Sequence, residues 1–180
     1  MGIPLYGQNK AGDYIDKLAP NGAVVYKTSA GAKELAASDS GCFVIQDSAT
    51  GVSVTLPDIG PDDGDVVGLN YTYLVHTAST DGNAKILSND AHDTTGDEFI
   101  GGLIMGFNQV SSTSNGCGGN MIQAANNDAQ VVLDSNATNG GGGVGTWINF
   151  LCVAPKVWFI TGVVYGVTTS TGADLLQDLS

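Results

Sequence analysis

The sequence predicts an all-β protein: an antiparallel β-sandwich or jelly-roll-like domain preceded by an extended N-terminal arm. From about residue 23 the chain runs in short segments rich in Val, Ile, Thr, Tyr and Phe, separated by Gly, Asn, Asp and Ser clusters. Two of these segments alternate with the period of a half-buried strand, and nowhere does an apolar period of 3.6 residues persist over a useful length. With no strand-helix alternation, sheet packed on sheet is favoured over a parallel α/β design.

Residues 1–22 are Gly, Pro and polar residues punctuated by Ile3, Leu5, Tyr6, Tyr14 and Ile15, with no sustained period. Two readings fit: a frayed terminus, or an arm whose scattered apolar residues dock on a neighbouring subunit. The stretch "AGAKELAAS" at 30–38 could form two helical turns and is the best helical candidate. "CFVIQD" at 42–47 and "VSVTLP" at 52–57 follow as strands separated by "SATG"; in the second, Val52, Val54 and Leu56 alternate with Ser53 and Thr55. "GLNYTYLVHT" at 68–77 sets Leu69, Tyr71, Tyr73 and Val75 on one face and Asn70, Thr72, Leu74 and His76 on the other. Further strands are expected at 84–88, 99–105, 121–125, 130–134, 146–153 and 157–164, with the Gly-rich stretches at 111–120 and 136–143 as loops. The body of the domain is placed at 23–168 and a C-terminal tail at 169–180.

The chain has 180 residues, which suits one domain burying roughly 70% of its extended surface. Hydrophobic residues make up 42% and charged residues 13%, the composition of a folding chain with a polar, uncharged coat. Eighteen acidic residues against six basic ones give a formal charge of -12, which opposes binding to nucleic acid or to anionic membrane surfaces. No apolar run approaches the roughly 20 residues of a membrane-spanning helix, and the start "MGIPLYGQNK" lacks the basic and apolar regions of an export signal. Cys42, Cys117 and Cys152 form no closely spaced pair and read as free thiols of a protein assembled in a reducing cytoplasm.

Chemistry-bearing patterns are sparse. "GGGGVG" at 140–145 satisfies a dinucleotide-binding glycine pattern only formally, because a strand-like "TWINFLCV" follows where a helix N-terminus would be needed. His76 lies in a strand, and His92 lies in "NDAHDTTGDE" at 89–98, whose oxygen-rich spacing matches no ordered calcium loop and reads as a solvated acidic turn. "PDIGPDDGD" at 57–65 holds Asp58, Asp62, Asp63 and Asp65 on one turn rather than opposed across a cleft, as glycoside chemistry needs. No nucleophile elbow or zinc-protease motif occurs. An enzyme is therefore not expected, and neither is a cofactor or metal.

The closing segment "GTWINFLCVAPKVWFITGVV" at 145–164 poses the main question. In its first strand Ile148, Phe150 and Cys152 face one way and Trp147, Asn149, Leu151 and Val153 the other; in its second, Val157, Phe159 and Thr161 oppose Trp158, Ile160 and Gly162. Neither strand has a fully polar side. Burying one aromatic side chain removes about 150–250 Å² from water, worth about 4–6 kcal/mol, so both faces of this hairpin call for a cover. One meets the opposite sheet; the other meets a loop of the same chain, the N-terminal arm or another subunit.

"KELAASDSGCFVIQDSATGVSVTLP" at 33–57, the tyrosine- and valine-rich strand after it, and "GTWINFLCVAPKVWFITG" at 145–162 together resemble a family of small virion proteins of tailed bacteriophages. "IPLYGQNK" near the start resembles the N-termini of marine phage structural proteins. The chain departs from the family at 154–157, where Ala-Pro-Lys-Val stands in place of the usual Asp-Gly turn before Trp158. The resemblance implies a capsid decoration (cement) protein on the outer surface of a phage head. Its partners would be the major capsid protein and further copies of itself, most simply in a trimer. Ile3, Leu5 and Tyr6 would anchor the arm, with Trp147 and Trp158 packing the core or the subunit contact. The competing expectation is a carbohydrate-binding or host-adhesion module of a phage fibre, which would display aromatic residues in its loops. The loops at 111–120 and 136–143 hold none.

Overall fold

In the computed structural model the described residues are 15–18, 24–28, 32–60, 66–79, 84–89, 98–107, 119–125, 128–134, 140–166 and 175–177. They form strands β1 (Ile15–Leu18), β2 (Val24–Thr28), β3 (Ala32–Glu34), β4 (Phe43–Gln46), β5 (Ser53–Thr55), β6 (Asn70–Val75), β7 (Ala84–Leu87), β8 (Glu98–Phe107), β9 (Gly119–Gln123), β10 (Gln130–Leu133), β11 (Trp147–Ala154), β12 (Val157–Gly166) and β13 (Leu176–Gln177). A single turn of 3-10 helix at Ala37–Asp39 is the sole helical element among them. The all-β expectation holds, and the strands expected from 42 onward fall where the alternating segments put them.

The sheets are mixed, which corrects the expectation of antiparallel pairing. One sheet has eight strands in the order β1-β2-β4-β6-β11-β12-β8-β9, the other five in the order β13-β10-β7-β5-β3. Within them β2-β4-β6 run parallel, as do β3-β5-β7 and the β12-β8 pair. From β2 to β7 the chain alternates between the sheets, so each parallel crossover is made by a strand of the other sheet instead of a helix. β4 and β5 lie in different sheets although only residues 47–52 separate them.

The helical expectation for 30–38 is also corrected. Ala32–Glu34 pairs in parallel with Ser53–Thr55, and the helical turn that follows is one turn long, its Asp39 carboxylate accepting the Ala36 N–H at 2.9 Å. Alanine and glutamate are good helix formers, but intrinsic propensity is a weak determinant over so short a segment, and edge pairing with β5 outweighs it. At the chain ends, Ile15–Leu18 within the arm region pairs antiparallel with β2, and Leu176–Gln177 within the tail region pairs with β10.

One apolar core takes side chains from both sheets: Val44, Tyr71, Tyr73, Phe150, Trp158 and Ile160 from the larger, Val54, Ile86, Val131 and Leu133 from the smaller. Within it Tyr71 meets Trp158 edge-on with ring centroids 5.9 Å apart, and Phe99 meets Phe150 at 5.7 Å. Several buried polar groups are tied in, whereas Ser79 Oγ, Ser88 Oγ and Trp158 Nε1 are buried with no hydrogen-bond partner among the described residues. The Gln46 amide donates to the Ser48 and Thr77 carbonyls at 3.1 and 3.0 Å and accepts the Tyr73 hydroxyl, while the Tyr71 hydroxyl donates to Ala36 O at 2.9 Å.

Candidate interaction surface

The final hairpin turns at Pro155 and Lys156, with Ala154 paired to Val157 across it. Proline presets the first turn position, and Lys156 takes a left-handed φ of 63° at the second. The turn is fixed from outside: Lys156 N donates to Ile59 O, and Glu98 N donates to Lys156 O, each at 2.9 Å. This seats the hairpin centrally in the larger sheet, between β6 and β8. A central strand whose period is 2 must place alternate side chains on opposite faces.

Ile148, Phe150, Cys152, Trp158, Ile160 and Val164 all point into the core and are at most 1% exposed. The opposite set faces outward: Trp147 is 40% exposed, Val153 39%, Phe159 38% and Tyr165 40%. The two tryptophans thus part company, Trp158 filling the core at 0% and Trp147 standing on the surface. Ile3, Leu5 and Tyr6 lie outside the described residues.

Strand register carries the outward set across the sheet. Ile45 pairs with Leu74, Leu74 with Trp147, Trp147 with Val163, Val163 with Ile104 and Ile104 with Met121, giving one apolar row over six strands. A second row joins Leu151, Phe159 and Ile100. Between them runs an uncharged polar row of Thr72, Asn149, Thr161, Gly102 and Gln123, in which the Asn149 amide donates to Tyr71 O and Thr72 Oγ1. Ile100 is 39% exposed, Ile104 51% and Met121 81%, so the apolar surface continues well beyond the hairpin. Sequence reasoning missed these three. For Ile100 and Ile104 the signal was present in "EFIGGLIMGF", where both alternating sets are largely apolar.

Glycine keeps this face low. Gly101 has φ +101°, and a Cβ there would lie 2.9 Å from the Phe159 ring and collide with the Ile160 carbonyl; a Cβ on Gly106 would lie 3.0 Å from the Tyr165 ring. Each ring therefore lies over a residue that has no side chain of its own.

The remaining candidates separate cleanly. His76 is largely exposed and meets Asp47 at 2.9 Å, with the Thr77 hydroxyl donating to the same carboxylate oxygen at 2.6 Å, a surface strand-end arrangement. Asp58 closes its own turn by accepting Gly60 N at 2.9 Å. His92 and the acids at 62, 63, 65, 90, 93 and 97 lie outside the described residues. The glycine run at 140–145 packs as structure: Gly141 bridges to Asp134, Gly142 bridges to Tyr165, and Gly141 O accepts the Thr146 hydroxyl at 2.7 Å. Cys42 and Cys152 are buried, and the Cys152 thiol donates to Ala154 O at 3.4 Å; burial, then the nearby Asp39, pushes the Cys42 thiol from 9.0 up to about 12. Among the described residues no group of three His, Cys, Asp or Glu stands close enough to hold a metal ion, and no helix is long and apolar enough to cross a membrane.

Compared with protein-family models, with curated proteins and with solved structures, the chain matches none.

Proposed function

We propose that this chain is a capsid decoration protein, a non-enzymatic component of a phage virion that sits on the outer surface of the head and stabilises contacts between major capsid protein subunits. One observation carries the reading. The outward face of the eight-stranded sheet presents one unbroken apolar row over six strands with a second, shorter row beside it, an exposed apolar patch of the kind that marks protein–protein contact. A broad, hydrogen-bonded sheet face suits sustained contact with other proteins better than it suits turnover of a small substrate.

The sequence resemblance to small phage virion proteins supports the same role, and a two-layer body of sandwich type fits it. In this reading the N-terminal arm docks through the residues ahead of β1, with Ile3, Leu5 and Tyr6 as its anchors, and the protein is a homo-oligomer assembled in the host cytoplasm. Nucleic acid and membrane are not partners, since a formal charge of -12 repels both.

The experiment is to look for the protein in purified virions by mass spectrometry and for its density on the head by cryo-electron microscopy. Heads that lack it should break at a lower temperature and recover when the purified protein is added back. Intact virions without the protein, or heads indifferent to it, would refute the proposal.

A second reading, an adhesion module of a phage fibre, draws on Trp147, Phe159 and Tyr165, three aromatic rings on one exposed face where sugars could stack. Glycan-array binding lost on Trp147→Ala, together with density at a fibre tip, would favour it over the capsid role.

A further inference from the structure

We propose that the outward face of the eight-stranded sheet is a self-pairing surface on which a second copy of this chain lays the same face, related by a two-fold axis. Pairing occupies the face that carries the capsid reading, so a paired protein meets the head through its other surfaces, and the test below scores the two separately.

The first argument is charge. Across β4, β6, β11, β12, β8 and β9 the outward positions are apolar or uncharged polar, and charge is confined to the margins of the face, with Glu98 at one end of β8 and Lys27 of β2 in register with Ile45. The chain carries a formal charge of -12. A basic partner would be met by acids on this face, and the face holds almost none. Two equally acidic copies can approach only where charge is absent, and this face meets that condition.

The second argument is shape. Phe159 and Tyr165 lie over Gly101 and Gly106, so two of the hairpin's three outward rings rest on backbone and not on another side chain. Two such sheets can stack at about 10 Å, the spacing of aligned sheet packing.

Area gives the third. Six strands about 4.8 Å apart, offering from two outward positions on β4 to five on β8 and β12 at about 7 Å spacing, make a face of about 700 Å² per copy. A pair using the whole face buries about 1,400 Å², within the range of a specific interface. A closed trimer would divide the same face between two neighbours and leave each contact near half that size. A self-complementary contact therefore favours pairing in twos over the trimer implied by the resemblance.

The test is sedimentation velocity with light scattering on the full chain over a wide concentration range, comparing wild type, Ile104→Lys and Val67→Lys. Ile104 is central in the outward row and 51% exposed; Val67 is 58% exposed in a turn before β6 and serves as the control. Circular dichroism verifies that both variants fold. Wild type and Val67→Lys should run as two copies, and Ile104→Lys should weaken pairing about 100-fold or more, because each copy would bury an unpaired ammonium. A single-copy or three-copy mass for wild type overturns the proposal, as does unchanged pairing in folded Ile104→Lys. Head binding is scored on the same samples. A single-copy protein that still binds heads overturns pairing and keeps the capsid reading, whereas a pair that never binds heads keeps pairing and removes the capsid reading.

Discussion

Replacing Trp158 by alanine should cost the fold about 2 kcal/mol more than replacing Trp147, although the two residues stand on paired strands of one hairpin. Trp158 is 0% exposed and Trp147 is 40% exposed. A tryptophan side chain of about 200 Å², at about 25 cal/mol per Å², gives about 5 kcal/mol for complete burial. The share of Trp147 already in water lowers its cost by about 2 kcal/mol. Truncating Trp158 also leaves a closed cavity and removes the edge-on contact with Tyr71, whereas the space left by Trp147 opens to solvent. A partial offset comes from the Trp158 indole Nε1, which is buried with no hydrogen-bond partner among the described residues, so its loss relieves about 1 kcal/mol. The assay is urea unfolding followed by circular dichroism, at a dilution where the midpoint no longer depends on protein concentration. With a slope of about 2 kcal/mol per M, the Trp158→Ala midpoint should lie about 1 M below that of Trp147→Ala. Equal midpoints, or a lower one for Trp147→Ala, would mean that the hairpin sits one residue out of the register described, since such a slip exchanges its two faces.

Gly101→Ala should destabilise by about 2–4 kcal/mol, combining left-handed backbone strain with a collision against the Ile160 carbonyl, while Gly41→Ala, at φ +85° with open space around it, should cost about 1–2 kcal/mol in thermal melts. Similar melting losses for both would refute the close β8-β12 approach. In a Cys117→Ser background a thiol reagent at pH 8 should label neither Cys42 nor Cys152 until the protein unfolds, because both are buried; rapid labelling of the native state would contradict their placement. Stability should fall at alkaline pH. The folded Cys42 value of about 12 lies above its ordinary 9.0, so its contribution is intact below about pH 9 and is lost as pH rises towards 12, at about 1.4 kcal/mol per pH unit. Tyr71 and Tyr73, both raised chiefly by burial, add a slope of the same sign above about pH 10. Cys42→Ala should flatten the dependence between pH 9 and 10, and an unchanged slope there would rule out the thiol as its source.

The sequence by itself determined where β4 to β12 lie and, for β5 and β6, which side of each is buried. Val52, Val54 and Leu56 are buried as their alternation with Ser53 and Thr55 requires, and so are Tyr71, Tyr73 and Val75. An apolar/polar period of 2 is a local property, and it survives whatever the strand is paired with. The glycine run could also be rejected as a phosphate cradle, because a strand and not a helix follows it.

Only the tertiary structure decided the partners. The parallel order β2-β4-β6 and β3-β5-β7 depends on contacts between residues far apart in the chain, and no local pattern distinguishes it from a series of hairpins. Pairing with β5 also turned Ala32–Glu34 from a weak helical candidate into an edge strand. In the hairpin, alternation separates Trp147 from Trp158 but cannot say which belongs inside, because both faces are apolar. The packing of Trp158 against Tyr71 resolves that choice, and strand register then aligns Trp147 with Val163, Ile104 and Met121 on the opposite surface. The candidate surface is therefore assembled from segments that are individually unremarkable, since burial on one face and exposure on the other are set by which sheets meet.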